Sequence, residues 1–215
     1  MALSKVNFNS LNLTPTASKT VVFNSNNNGI EAGDVGGALS LLSTVTASSS
    51  ATIDFTSNID SSYKEYEFHF INIHPATDAA EFSVQFNAAG GSGFNETIMS
   101  TIFQSIHSED DSSESGIAYV TANDQNNGTA YQDIYLNAGN GNDECICGTL
   151  NLYNPSSTTF TKNWVSRVQG YHNADSSFEY YTDAIVDTTT AIDEVSFKFS
   201  SGNIDSGVIK LYGVS

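Results

Sequence analysis

Glu65 and Glu67 alternate along a strand-like run, so both carboxylates share a face roughly 6 to 7 Å apart, within reach of glycosidase chemistry. The same run reads more simply as the wet side of a sheet, because Tyr66, Phe68 and Phe70 form an apolar opposite face. Cys145 and Cys147 are two apart, so on a strand both side chains leave one face and do not readily bridge each other. With neither a helix N-terminus nor an adjacent cation to lower a thiol pKa, they read as free thiols in a core or interface. His69 and His74 fall on opposite faces if one strand runs through both, which makes them no metal pair, and His74 precedes the turn residue Pro75. His107 borders the acidic stretch Glu109–Glu114, and a second acidic stretch spans Asn140–Glu144. Neither has the spacing of a calcium loop, and both read as solvated charge. Gly90-Gly91-Ser92-Gly93-Phe94 lacks the second glycine of a nucleophile elbow and reads as a turn. The expectation is therefore no catalytic residue, no metal and no cofactor. Trp164, Tyr171, Tyr180 and Tyr181 are aromatic side chains able to stack on a sugar ring, Trp164 and Tyr171 being the two put forward, against the simpler reading that most aromatics fill the core.

The elements that position these residues are strands. From Tyr63 onward, short alternating runs are separated by Asn, Gly, Asp and Ser clusters, and helical periodicity is sustained nowhere. Strands are expected at Thr52–Phe55, Lys64–Ile73, Phe82–Phe86, Thr97–Phe103, Gly116–Thr121, Tyr131–Leu136, Ile146–Tyr153, Thr158–Val168, Ser176–Val186, Glu194–Phe199 and Gly207–Gly213. About ten strands at this spacing predict an all-β fold, an antiparallel sandwich of jelly-roll type. In the Phe82 run, Glu81, Ser83 and Gln85 are expected on the wet face.

Residues 1–46 are mostly Ser, Thr, Asn and Gly with little charge, too poor in apolar groups to offset the ordering entropy of a separate core. They predict an N-terminal attachment arm, with 47–215 as the sandwich domain. Within the arm, Val21, Val22 and Phe23 and then Leu39, Leu41 and Leu42 form two strand-capable patches that could add to a sheet edge in this chain or a partner.

A net charge of −17 with six lysines and one arginine sets up a field that repels a phosphate backbone, so nucleic acid is not an expected partner. The longest apolar runs fall far short of the ~20 residues that span a bilayer, so membrane insertion is not expected. The Met1–Lys5 start has one cation and no apolar run behind it, and two unbridged thiols suit a reducing compartment; synthesis and assembly in a cytoplasm are expected.

Four phrases carry a resemblance: Ile59–Phe68, His74–Asp78, Leu152–Phe160 and Ser200–Gly213, together with the openings Met1–Phe8 and Thr14–Lys19. In these the chain resembles structural proteins of tailed bacteriophages, marine ones in particular. The resemblance implies a component of the particle exterior, a capsid decoration or fibre or part of a tail fibre, and carries no active site with it. It implies other virion proteins as partners through the arm, a homo-oligomer, and a place on the virion surface. The alternative it leaves open is a receptor-binding module of a tail fibre that recognises a host surface glycan.

Overall fold

The computed structural model describes residues 20–23, 30–33, 38–111 and 115–215, and these fall into two units, Met1–Ala38 and Leu39–Ser215. The expected arm turns at 24–29 and 34–37, the opening at 1–19 and the acidic positions 112–114 lie outside the described residues. In the first unit, β1 (Thr20–Phe23) pairs antiparallel with β2 (Ile30–Gly33), Val21 opposite Ala32 and Val22 opposite Glu31. The first strand-capable patch thus finds its partner in a local hairpin.

The second unit holds β3 (Leu39–Thr46), β4 (Ile53–Phe55), β5 (Glu65–Pro75), β6 (Ala80–Ala88), β7 (Ile98–Ser108), β8 (Ser115–Tyr119) and β9 (Asn126–Gly128). It continues with β10 (Gln132–Ala138), β11 (Ile146–Tyr153), β12 (Lys162–His172), β13 (Ser176–Val186), β14 (Ile192–Phe199) and β15 (Ile204–Val214). All pairings are antiparallel, and no α-helix occurs among the described residues, so the chain is all-β as its alternation predicts. One limb runs β3-β15-β5-β11-β12-β13-β7, with β8 and β9 sharing the far edge of β7. The other runs β10-β6-β14-β4. A single pair, Ala138 opposite His172, joins β10 to β12 and makes the whole a nearly closed sheet of thirteen strands.

Apolar side chains of the two limbs meet inside. Phe197 of β14 lies 5.2 Å from Phe68 and 5.1 Å from Phe70 of β5, 6.2 Å from Phe55 of β4 and 5.9 Å from Phe82 of β6. Further along, Phe86 packs on Trp164 at 5.6 Å and Tyr135 on Tyr180 at 5.1 Å. Edge-to-face and tilted contacts of this kind add about 0.5–1.5 kcal/mol per pair beyond the area they bury.

Four details differ from the sequence reading. First, β3 pairs with β15 along its length, so the domain begins at Leu39 and not at 47; Leu39–Thr46 carries enough Leu and Val to serve as a strand once a neighbour supplies the sheet. Second, β5 bulges at Ile71–Asn72, where these two residues of β5 oppose one of β11, Cys147, and Asn72 takes φ of 50°. The extra residue shifts the parity of the strand, so His69 and His74 share the outer face and do not oppose each other. Third, β6 has no wet face between Phe82 and Ala88. Ser83, Gln85 and Asn87 are all buried: the Gln85 amide donates to the carbonyls of Glu96, Thr129 and Ala130 at 2.8–3.1 Å, Ser83 Oγ to Asp133, and Asn87 Nδ2 to Glu194. Fourth, β12 starts at Lys162. The buried Lys162 ammonium donates to the carbonyls of Phe160 and Thr188, which fixes the preceding residues as a turn.

Asp133 accepts from Ser83 Oγ at 2.8 Å and Asn123 Nδ2 at 3.0 Å. Burial pushes its carboxyl above the ordinary range, a shift that the two hydrogen bonds oppose. A raised folded-state pKa means the folded protein binds more protons in the window above 3.8, so this group favours folding more as pH falls. Urea unfolding of the wild type and Asp133→Asn is expected to show the wild type gaining on the variant as pH falls from 7, levelling off below 3.8. An opposite slope would mean that the hydrogen bonds outweigh burial.

Candidate functional site

The outer face of β11, β12, β13 and β7 carries a transverse row set by strand register. Thr149 lies opposite Arg167, Arg167 opposite Tyr181, Tyr181 opposite Phe103, and Phe103 opposite Tyr119 on β8. Tyr181 and Phe103 stack with ring centroids 5.0 Å apart and planes 9° from parallel. The Arg167 guanidinium sits 5.5 Å over the Tyr181 ring, and its Nε donates to Glu179 Oε1. Glu179 accepts a second hydrogen bond from the Tyr181 hydroxyl at 2.6 Å. The Arg167 hydrogen bond holds the Glu179 carboxyl below its usual range, and Glu179 in turn raises the Tyr181 phenol. With the Arg167 side chain 65% exposed, the pair orders this face more than it stabilises the fold.

Three shallow grooves run along these strands. One, of about 450 Å³, has Met99, Thr101, Val165 and Ile185 in its lining. A second, of about 380 Å³, is bordered by Ser105, His107, Arg167, Gln169 and Glu179. The third, of about 350 Å³, passes Arg167 on the other side and reaches Thr149 and Cys147. From Asn163 to Gln169 the face extends roughly 20 Å at strand rise. It presents hydroxyls, amides, one guanidinium, the carboxylates of Glu179 and Asp183, and aromatic and aliphatic side chains in positions set by strand register.

The residues singled out from sequence are scattered. Trp164 lies on the inner face, fully buried against Phe86, and cannot stack on a sugar ring. Tyr171 is half-buried, and its hydroxyl donates to Glu109 Oε2 at 2.5 Å, a bond that pushes the phenol up to about 12. In the arm patches, Val21 is 49% exposed and Val22 half-buried, and Phe23 pairs with Ile30 in the hairpin. Leu39 and Leu41 are exposed, whereas Leu42 packs against the domain's own core.

Glu65 accepts from Asn151 Nδ2 at 2.9 Å, and Glu67 lies 3.0 Å from His69 Nε2, so each carboxylate has its own partner on the outer face. His74 Nε2 contacts the Gly141 carbonyl at 3.0 Å, and His107 Nε2 lies 3.4 Å from Asp111. In the second acidic stretch, Glu144 turns back to accept from the Gly141 amide at 2.5 Å, so it closes its own turn. No group of three His, Cys, Asp or Glu side chains placed to hold a metal occurs among the described residues. Cys145 and Cys147 are free thiols, both half-buried, and burial together with the neighbouring Cys147 raises the Cys145 thiol.

Sequence reading named Tyr181 among the aromatics able to stack on a sugar but missed its neighbours Arg167, Glu179 and Phe103. They come from three strands and meet only through register; the sole visible signal was that Arg167 is the chain's one arginine. Comparison with known protein families, with curated proteins and with solved structures returns no match for this chain.

Trp164→Ala is expected to lower the urea-unfolding free energy by about 3–5 kcal/mol, the cost of a large cavity in the core. A loss under about 1 kcal/mol would contradict the burial described.

Proposed function

We propose that this chain is a non-enzymatic structural protein of a bacteriophage particle, a capsid decoration or fibre displayed on the exterior and anchored by the residues ahead of Leu39. The phrase resemblance supplies the particle. The observation that carries the anchoring is the state of β3. It is a terminal strand of the sheet, with no partner on its outer edge among the described residues, and Leu39 and Leu41 are 42% and 55% exposed at the end that leads into the first unit. A bare edge with apolar side chains is a template for strand addition by another virion protein or a second copy, and on this reading the residues ahead of Leu39 extend that edge into an anchor that the edge alone is too short to provide. On this reading the protein is made and assembled in the host cytoplasm and acts on the virion surface as a homo-oligomer.

Truncation tests the anchor. A chain beginning at Ala38 retains the whole second unit, so it is expected to stay monodisperse, unfold at the full-length midpoint and fail to join particles. A chain beginning at Ser48 loses β3, exposes the edge of β15 and is expected to unfold earlier. Full incorporation of the Ala38 form would refute anchoring by the N-terminal residues.

The outer-face grooves favour a second reading, a tail-fibre module that recognises a host surface glycan. Planar polar side chains beside aromatic rings suit the hydroxyls and C–H faces of a sugar. The residues concerned are then Arg167 and Tyr181, in place of Trp164. On a glycan array this reading expects specific binding that Arg167→Ala and Tyr181→Ala each abolish, and a blank array removes it.

A further inference from the structure

The bulge in β5 brings three polar groups from distant parts of the chain to one point. Asn72, turned by its left-handed backbone, directs Oδ1 at both thiols, 3.7 Å from Cys145 Sγ and 3.5 Å from Cys147 Sγ. Its backbone N–H donates to Cys147 Sγ at 3.3 Å. The intervening Ile146 is fully buried, which holds the two cysteines on the same side of the chain, both against the one Asn72 amide oxygen. Cys147 lines the groove of about 350 Å³ beside Gly148 and Gln169, so ions in solution reach it.

Two sulfurs gathered in this way restrict what can bind. Tetrahedral Zn(II) wants four ligands and calcium wants six or more oxygens, and the described residues place no third His, Cys, Asp or Glu beside the pair. A soft, closed-shell monovalent ion needs only two thiolates, and soft sulfur ligands select Cu(I) among biological metals. In the metal-free site the two thiols donate to Asn72 Oδ1, and once their protons are released the Asn72 side chain turns its Nδ2–H groups to the sulfurs, which suits it to aligning them more than to serving as a ligand.

We propose that Cys145 and Cys147, positioned by Asn72, form a site for one soft monovalent cation, Cu(I) or Ag(I), held between the two sulfurs. Each thiol releases its proton to solvent as its sulfur–metal bond forms, and no atom changes oxidation state. The site is independent of the anchoring and glycan readings above, and its failure would leave both untouched.

The test is an anaerobic titration of the full chain against Cu(I) held by the coloured chelator bicinchoninate. The folded wild type is expected to withdraw one Cu(I) per chain, and Cys145→Ser and Cys147→Ser to withdraw none. Asn72→Ala keeps both sulfurs and is expected to bind about tenfold more weakly. Ag(I) is expected to displace Cu(I) one for one, while Zn(II) offered to the same protein stays with its own chelator. The proposal is overturned if the folded chain leaves Cu(I) with bicinchoninate, or if either serine variant still withdraws it. It is also overturned if Asn72→Ala matches the wild type, if Ag(I) fails to displace Cu(I), if Zn(II) is taken up, or if the chain in concentrated urea binds Cu(I) as tightly as the folded one. The urea comparison needs no variant, so it decides even where a substitution impairs folding.

Discussion

The contact between Phe197 and the phenylalanines of β4, β5 and β6 is the constraint on which the fold depends. It ties the short limb, β10-β6-β14-β4, to the long one at a point where backbone hydrogen bonding does not, since the limbs share only the Ala138–His172 pair. Hydrogen bonds fix strand order within a limb and say little about how far apart two faces sit. Ring packing sets that spacing, because edge-to-face geometry is directional and the interior tolerates few voids. With Phe68 and Phe70 held inward, β5 must present Glu65, Glu67 and His69 outward, and its extra residue must be absorbed at Ile71–Asn72. The thiol pair and the outer-face grooves therefore inherit their placement from an aromatic cluster that touches neither.

Much of this was legible in the chain, and the reason is local. Strands β11 and β13 have the bounds their alternation implies, and Tyr66, Phe68 and Phe70 face the core as their spacing predicts. Period-2 patterning reports which face of one strand is apolar, whatever the rest of the fold does. The failures are non-local. Ser83 and Gln85 are polar, yet both are buried, Gln85 with its amide on the carbonyls of Glu96, Thr129 and Ala130 and Ser83 with its hydroxyl on Asp133, and those partners offset the cost of burial. Trp164 looked available because it stood among polar residues, and the partner that hides it, Phe86, is far away in sequence. The boundary at Leu39 was misplaced for a related reason: composition averaged over 1–46 conceals one eight-residue strand whose stability comes from β15.

The candidate site was less legible than the fold. Arg167, Tyr181 and Phe103 adjoin through register between β12, β13 and β7, and a one-residue slip of any strand would separate them. The bulge had a readable cue, an asparagine inside an apolar run, since Asn tolerates positive φ better than most residues. Its consequence was not readable. Moving His74 onto the face of His69, and Asn72 onto the thiols, follows from inserting one residue opposite β11, and the partner strand is what reveals the insertion.

Edges and charge are the two features of such a sheet that bear on pairing between copies. A net charge of −17 repels other copies at moderate ionic strength, but at 1 M salt screening shortens to ~3 Å and the backbone edges must protect themselves. β4 is three residues long and carries Asp54, and β8 is five residues long, so neither offers a long run for pairing. β3 is the longest of the outlying strands and bulges where Leu42 is inserted opposite Leu211 and Tyr212. That bulge turns Leu42 toward the core and interrupts the outer edge, dividing it into the regular runs Leu39–Leu41 and Ser43–Thr46. In the first of these Leu39 and Leu41 are exposed. An edge broken in this way disfavours indefinite stacking of copies, because a long flat edge is what such stacking needs and each run of β3 is only three or four residues long.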